Sequence, residues 1–114
     1  MKSVSGFYGV YPVAFALFGA DGMLNRAAVR TQVQAMVRHK VHGITVLGLA
    51  SEVHRLSGAE RQCLLEWVIE DAAGCVPVAV TIAEPSVDAQ VAFAERAKAA
   101  GAAWLILQPP PVKA

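Results

Sequence analysis

The chain has 114 residues, 55% of them hydrophobic and 17% charged, with a formal net charge of +1. That composition excludes a disordered chain, and its ten dispersed Lys and Arg form no basic stripe to recruit nucleic acid. It is one domain's worth of sequence, and so little charge on it implies apolar surface meant to be covered by more protein.

The chain opens MKSVSGFYGVYPVAFALFGA, whose single Lys, apolar stretch and small residues loosely mimic a signal peptide. Pro12 breaks the apolar stretch, and Gly6 and Gly9 stand where a helical h-region would begin. No run elsewhere approaches the ~18 apolar residues of a membrane span. Val10 to Phe15 is therefore read as a first strand, and the protein as cytoplasmic with no membrane partner.

Asp21-Gly22 then marks a turn. Asn25 is a candidate cap for a helix with Val29, Val33, Met36 and Val37 on its apolar face, a unit that Gly43 closes. Ile44 to Leu47 is a second strand without alternation, the pattern of a strand buried on both faces. Ser57-Gly58-Ala59-Glu60 has the spacing of a capping box. The helix it opens carries Leu64, Leu65, Val68, Ile69 and Ala72, with Gly74 as its stop. Val76 to Ile82 is a third strand. Ser86 or Asp88 starts a third helix with Val91, Ala94, Ala97 and Ala100 inward and Gly101 at its end. Trp104 to Leu107 is a fourth strand, halted by Pro109-Pro110-Pro111.

The order is β-α-β-α-β-α-β, an α/β chain with a repeat of roughly 30 residues, which implies a parallel sheet with right-handed crossovers. Two architectures fit: a small open doubly wound sheet, or the first half of a TIM (β/α)8 barrel. Cys63 and Cys75 show no metal or redox spacing and are expected as buried free thiols. His39, His42 and His54 are scattered and are read as solvated or loop histidines. The sequence calls for no metal and no cofactor, and it holds no Gly-rich phosphate loop.

Several pieces in order carry a resemblance: Phe18 and Asp21-Gly22 after strand one, Gly48-Leu49-Ala50-Ser51-Glu52, Leu56-Ser57-Gly58-Ala59-Glu60-Arg61, Val76-Pro77-Val78 and Pro109-Pro110. Together they resemble the dihydrodipicolinate synthase / N-acetylneuraminate lyase family over almost the whole chain. The resemblance implies a class I aldolase barrel, with residues 1–114 as a partial barrel holding strands one to four. In that family a lysine on the sixth strand forms a Schiff base with pyruvate or a related 2-oxo acid, and a tyrosine on the fifth assists. Neither strand falls within these residues, so no catalytic residue is assigned. The family's Gly-Thr-Thr-Gly-Glu turn reads Gly48-Leu49-Ala50-Ser51-Glu52 here, without either threonine hydroxyl. The aromatic pair that often follows strand four is replaced by Pro111 and Val112.

Backbone amides in a tight turn are natural anion donors, and loops leaving the C-terminal ends of barrel strands form the active face. Gly48, Leu49, Ala50 and Ser51 are therefore the expected substrate-binding residues, for the carboxylate of a 2-oxo acid. The alternative is that Gly48 only permits the turn and that Glu52 pairs with a neighbouring loop. Three functions remain in view: the N-terminal half of a Schiff-base aldolase or lyase, inactive by itself; a non-catalytic half-barrel acting as a binding or assembly module; and a small open-sheet protein of receiver or flavodoxin type. The last lacks clustered acidic residues at the strand exits. Self-association into a homo-oligomer is expected, because half a barrel exposes strand edges.

Overall fold

Each helix begins where the sequence supplies a local acceptor for its first amides. In the computed structural model, which describes residues 8–48 and 53–108, Asn25 Oδ1 accepts from Ala28 N ahead of α1 (Arg26–Arg38). Ser57 and Glu60 form both halves of the capping box ahead of α2 (Gly58–Ala72). Ser86, not Asp88, caps α3 (Val87–Ala100). The end of α2 differs from the sequence expectation. Ala73 takes the left-handed cap with φ 45°, and Gly74 follows it at φ 76°. Gly101 caps α3 as expected.

Three strands form one parallel sheet in the order β1 (Ile44–Val46), β2 (Val78–Ile82), β3 (Trp104–Leu107). The expected first strand is only partly formed. Residues 10–14 run beside residues 42–45 with a single parallel bridge, Val13 to Thr45, although four backbone bonds join the two segments. Its exit turns at once into a small hairpin closed by a Phe18–Leu24 bridge. The neighbours in space are thus neighbours in sequence. A doubly wound sheet would reverse its strand order at a switch point. The observed order does not reverse, and the fold is the first half of a (β/α)8 barrel.

Register sorts the sheet into two faces, since paired residues of parallel strands point the same way. Val13, Thr45, Ala79 and Trp104 line up on the inner face. Tyr11 packs edge-on against Trp104 there, with ring centroids 5.5 Å apart. Ile44, Val46, Val78, Val80 and Ile82 face the helices and join Val29, Val33, Leu64, Leu65, Val68, Phe93 and Ala97 in one core. Leu105 and Leu107 lie in register with Val80 and Ile82 on that helix-facing side, yet Leu107 remains 66% exposed.

Two further expectations are corrected. Val91 is 54% exposed rather than inward, because the buried stripe of α3 runs through Gln90, Phe93 and Ala97. Cys75 is exposed in the turn after α2 and Cys63 is only partly buried, so the expected burial of both thiols does not occur; both are free, as expected. No helix among the described residues is long and apolar enough to cross a membrane.

Candidate carboxylate-binding turn at the strand exits

Parallel strands put all their C-terminal ends on one side of the sheet. At the end of β1 the backbone turns at Leu47, a fully buried residue with φ 64°. A left-handed conformation is uncommon for any side chain but glycine, Asn or Asp, and strain of this kind, of order 1–3 kcal/mol, concentrates at ligand sites. Gly48 comes next and is buried. A Cβ at Gly48 would lie 2.9 and 3.1 Å from the two methyls of Val13, so no side chain fits without moving the first segment. Leu49, Ala50 and Ser51, the other residues expected to bind substrate, lie outside the described residues, as does Glu52. The chain resumes in a 3-10 turn, Val53–Arg55, followed by buried Leu56.

Helix side chains hold the exits of the first segment, β2 and β3. From α1, the Gln32 amide accepts from Phe15 N at 2.8 Å and donates to Phe15 O at 3.0 Å, as a neighbouring strand would. From α2, Arg61 grips Glu84 just beyond β2: Nε and Nη2 each donate to one carboxylate oxygen at 2.7 Å. Arg61 Nη1 donates to the Leu56 carbonyl at 2.6 Å. From α3, Gln90 Nε2 donates to the carbonyls of Glu84, at 3.2 Å, and Gln108, at 2.9 Å. Gln90 takes the inward place that Val91 was expected to hold because it satisfies two carbonyls where no ladder continues.

Sequence reading missed Gln32, Glu84 and Gln90, and met Arg61 only as part of a motif. One signal was available for Arg61. A cation in a helix's first turn opposes the helix dipole, and its presence there implies a carboxylate partner.

A second ionic cluster joins α1 to α2 away from the exits. Arg26 makes a bidentate pair with Asp71 at 2.6 and 2.7 Å, with Arg30 Nε at 3.5 Å and Arg26 stacked 5.2 Å from the Trp67 ring centre. Asp71 lies ten residues along α2 from Arg61, about 15 Å of helix. Hydrogen bonds from Arg26 hold the Asp71 carboxyl below the usual carboxylate range, and the same bonds raise Arg26. Burial pushes the Cys63 thiol up, with Glu66 adding to it. An open depression of about 550 Å³ beside this cluster is lined by residues of the 18–24 hairpin and the start of α1.

Among the described residues no three His, Cys, Asp or Glu side chains gather as a metal site. His39 caps the end of α1, and His42 Nδ1 accepts from Val10 N at the opposite end of the sheet; nothing is described of the His54 side chain. Lys40 follows α1 and Lys98 sits in the last turn of α3, while Lys2 and Lys113 lie outside the described residues. Of the expected substrate-binding residues the described ones thus include Gly48 alone, against Val13 of the first segment.

Sequentially ordered parallel strands, helices on one face and a left-handed residue at the exit of β1 define part of a (β/α) barrel. The Dihydrodipicolinate synthetase family matches residues 6–111, and the chain belongs to that family. It is 31% identical over 100 residues to the probable 2-dehydro-3-deoxy-D-pentonate aldolase YjhH of Escherichia coli, covering 88% of this chain and 33% of that protein. The fold superposes on N-acetylneuraminate lyase of Mycoplasma synoviae with TM-score 0.89 and 26% identity, over 97% of this chain and 38% of the other. The E. coli prophage protein YagE, solved in complex with pyruvate, shares the fold at TM-score 0.87 and 24% identity, over 91% and 35% of the two chains. The chain spans about a third of the length of the curated relatives it matches.

Proposed function

We propose that this chain supplies the 2-oxo-acid-binding half of a class I aldolase or lyase barrel, with the turn that starts at Gly48 receiving the substrate carboxylate. The observation that carries this reading is the exit of β1, where strained Leu47 and side-chain-free Gly48 turn the backbone over Val13. Tight-turn amides suit an anion, and pyruvate is the simplest 2-oxo acid of the class the family implies. Family membership and the pyruvate carried by a structural neighbour support the choice. Residues Leu49, Ala50 and Ser51 belong to the proposed site. Schiff-base chemistry would fall to a lysine outside these residues. Trapping this chain with pyruvate and borohydride is therefore expected to add no mass.

The test is a pyruvate titration of the ¹⁵N-labelled chain, reading the Gly48 resonance. Saturable movement of that resonance in the wild type, with the Val80 resonance in the middle of β2 unmoved, is expected. An unmoved Gly48 resonance would return the turn to a purely structural part.

The same reading includes self-association. Exposed Leu105 and Leu107, together with the outer edge of β3, favour a chain that works as an assembly module alongside more barrel. Sedimentation is expected to show species larger than one chain. A monodisperse monomer would refute this part.

A further inference from the structure

Val10, at the start of the first segment, is held twice by one residue of the facing segment. His42 N donates to Val10 O at 3.0 Å, and His42 Nδ1 accepts from Val10 N at 2.8 Å. Gly43 N adds a longer bond to the same carbonyl, at 3.3 Å. The ring lies against Gly9, whose φ of 90° suits glycine and where a Cβ would overlap Cγ, Nδ1 and Cδ2 of the imidazole. Tyr8 tilts onto its other contact, with ring centroids 5.3 Å apart. Further along, Ala14 N donates to Thr45 O and Thr45 N to Pro12 O. The segment so held brings Tyr11 to Trp104 and Val13 to Gly48, so its pairing sets contacts on the inner face.

The bond from Val10 fixes the chemistry of the ring. An amide N–H can only donate, so Nδ1 presents its lone pair and the single proton of the neutral imidazole is on Nε2. A second proton can be taken only at Nδ1, which turns the acceptor into a donor and sets two N–H groups against each other. We propose that His42 is a pH-operated latch on the start of the first segment, closed while the ring is neutral and opened by proton uptake at Nδ1. The bond itself sets the direction: closed on the alkaline side of the ring's titration, open on the acid side. Tyr8 faces the ring from the first segment, and His39 and Lys40 precede it at the close of α1. Of these side-chain types only imidazole titrates between about pH 5 and 8, so His39 is the competitor to be separated. The latch stands at the opposite end of the sheet from the strand exits and does not depend on the carboxylate reading.

The experiment uses the complete 114-residue chain as wild type, His42→Asn, His42→Ala and His39→Asn. Asparagine can offer Oδ1 to Val10 N and does not titrate; alanine offers no acceptor. Exchange of the Val10 amide, corrected for the intrinsic pH dependence of exchange, is read against Ala14, whose bond to Thr45 O involves no titrating group. The His42 ring is titrated in parallel through its carbon-bound protons. Relative protection of Val10 in the wild type is expected to fall about fivefold from about pH 8 to about pH 5, the factor that accompanies loss of one neutral hydrogen bond, along the same curve as the ring. His39→Asn should show the same fall, His42→Ala the low value throughout, and His42→Asn no dependence on pH. Protection that stays level through the ring's titration, falls equally in His42→Asn, or ceases to fall in His39→Asn overturns the proposal. So does a His42→Ala chain whose Val10 is as protected as the wild type at the upper pH.

Discussion

Replacing Gly43 by alanine probes the inner face of the half-barrel at one methyl group. Gly43 precedes β1 and has no left-handed φ, so an alanine there meets no backbone penalty of its own. Its Cβ, however, would fall 2.0 Å from Cε2 and 2.4 Å from Cζ of Tyr11. Ordinary contact needs some 3.5–4.0 Å, so the ring must retreat by about 1.5 Å. That motion breaks its edge-on pairing with Trp104, now 5.5 Å between centroids. Overpacking costs about 1–3 kcal/mol and the lost aromatic pair about 0.5–1.5, for a destabilisation of roughly 2–4 kcal/mol. Denaturation followed by tryptophan fluorescence and circular dichroism measures it, and at this chain length the midpoint falls by roughly 8–16 °C. The cycle with Tyr11→Ala isolates the cause. In that background the added methyl meets no ring, and most of the cost should vanish as a coupling energy of about 1.5–3 kcal/mol. An equal cost in both backgrounds would refute the steric account and point to β1 itself.

Three other outcomes follow from named contacts. Asp71→Asn is expected to cost about 1–3 kcal/mol at neutral pH, the worth of hydrogen bonds to a charged group. Because Arg26 holds the Asp71 carboxyl low, this contribution is complete above the unfolded-state value of about 3.9 and disappears as pH falls through the lower folded-state value; a difference from wild type that persists undiminished at pH 2 would contradict it. Gln90→Leu leaves two buried-side carbonyls without their donor and should cost about 1–3 kcal/mol in urea unfolding, with faster exchange at Gln108 N; a stabilised variant would show that apolar burial outweighs the bonds. Val91→Lys should change stability by no more than about 0.5 kcal/mol, as at ordinary surface positions, whereas a loss beyond about 2 kcal/mol would return Val91 to a covered face.

Local chemistry was legible without coordinates. Asn25, Ser57 with Glu60, and Ser86 cap helices through bonds that close within one turn, so a few neighbouring letters determine them. The non-alternating run Ile44 to Leu47 announced a strand buried on both faces, and the ordered motifs from Gly48 to Arg61 carried the family. Periodicity did not choose between the two sheet architectures. That choice depends on which strands lie side by side, a long-range matter decided by the sequential order of the sheet. The first strand was expected from its apolar letters, but residues 10–14 pair through Thr45, and at Phe15 a side-chain amide, Gln32, stands in for a partner strand. The rotation of α3 that puts Gln90 inside and Val91 outside rewards carbonyls of Glu84 and Gln108 that no helical window contains. Glu84 looks like an exposed loop acid until Arg61, 23 residues earlier, folds over it. Caps and hydrophobic runs belong to the sequence because their partners lie within a few bonds; the strand exits, where the candidate site stands, belong to the tertiary structure because side chains from other elements hold those of the first segment, β2 and β3.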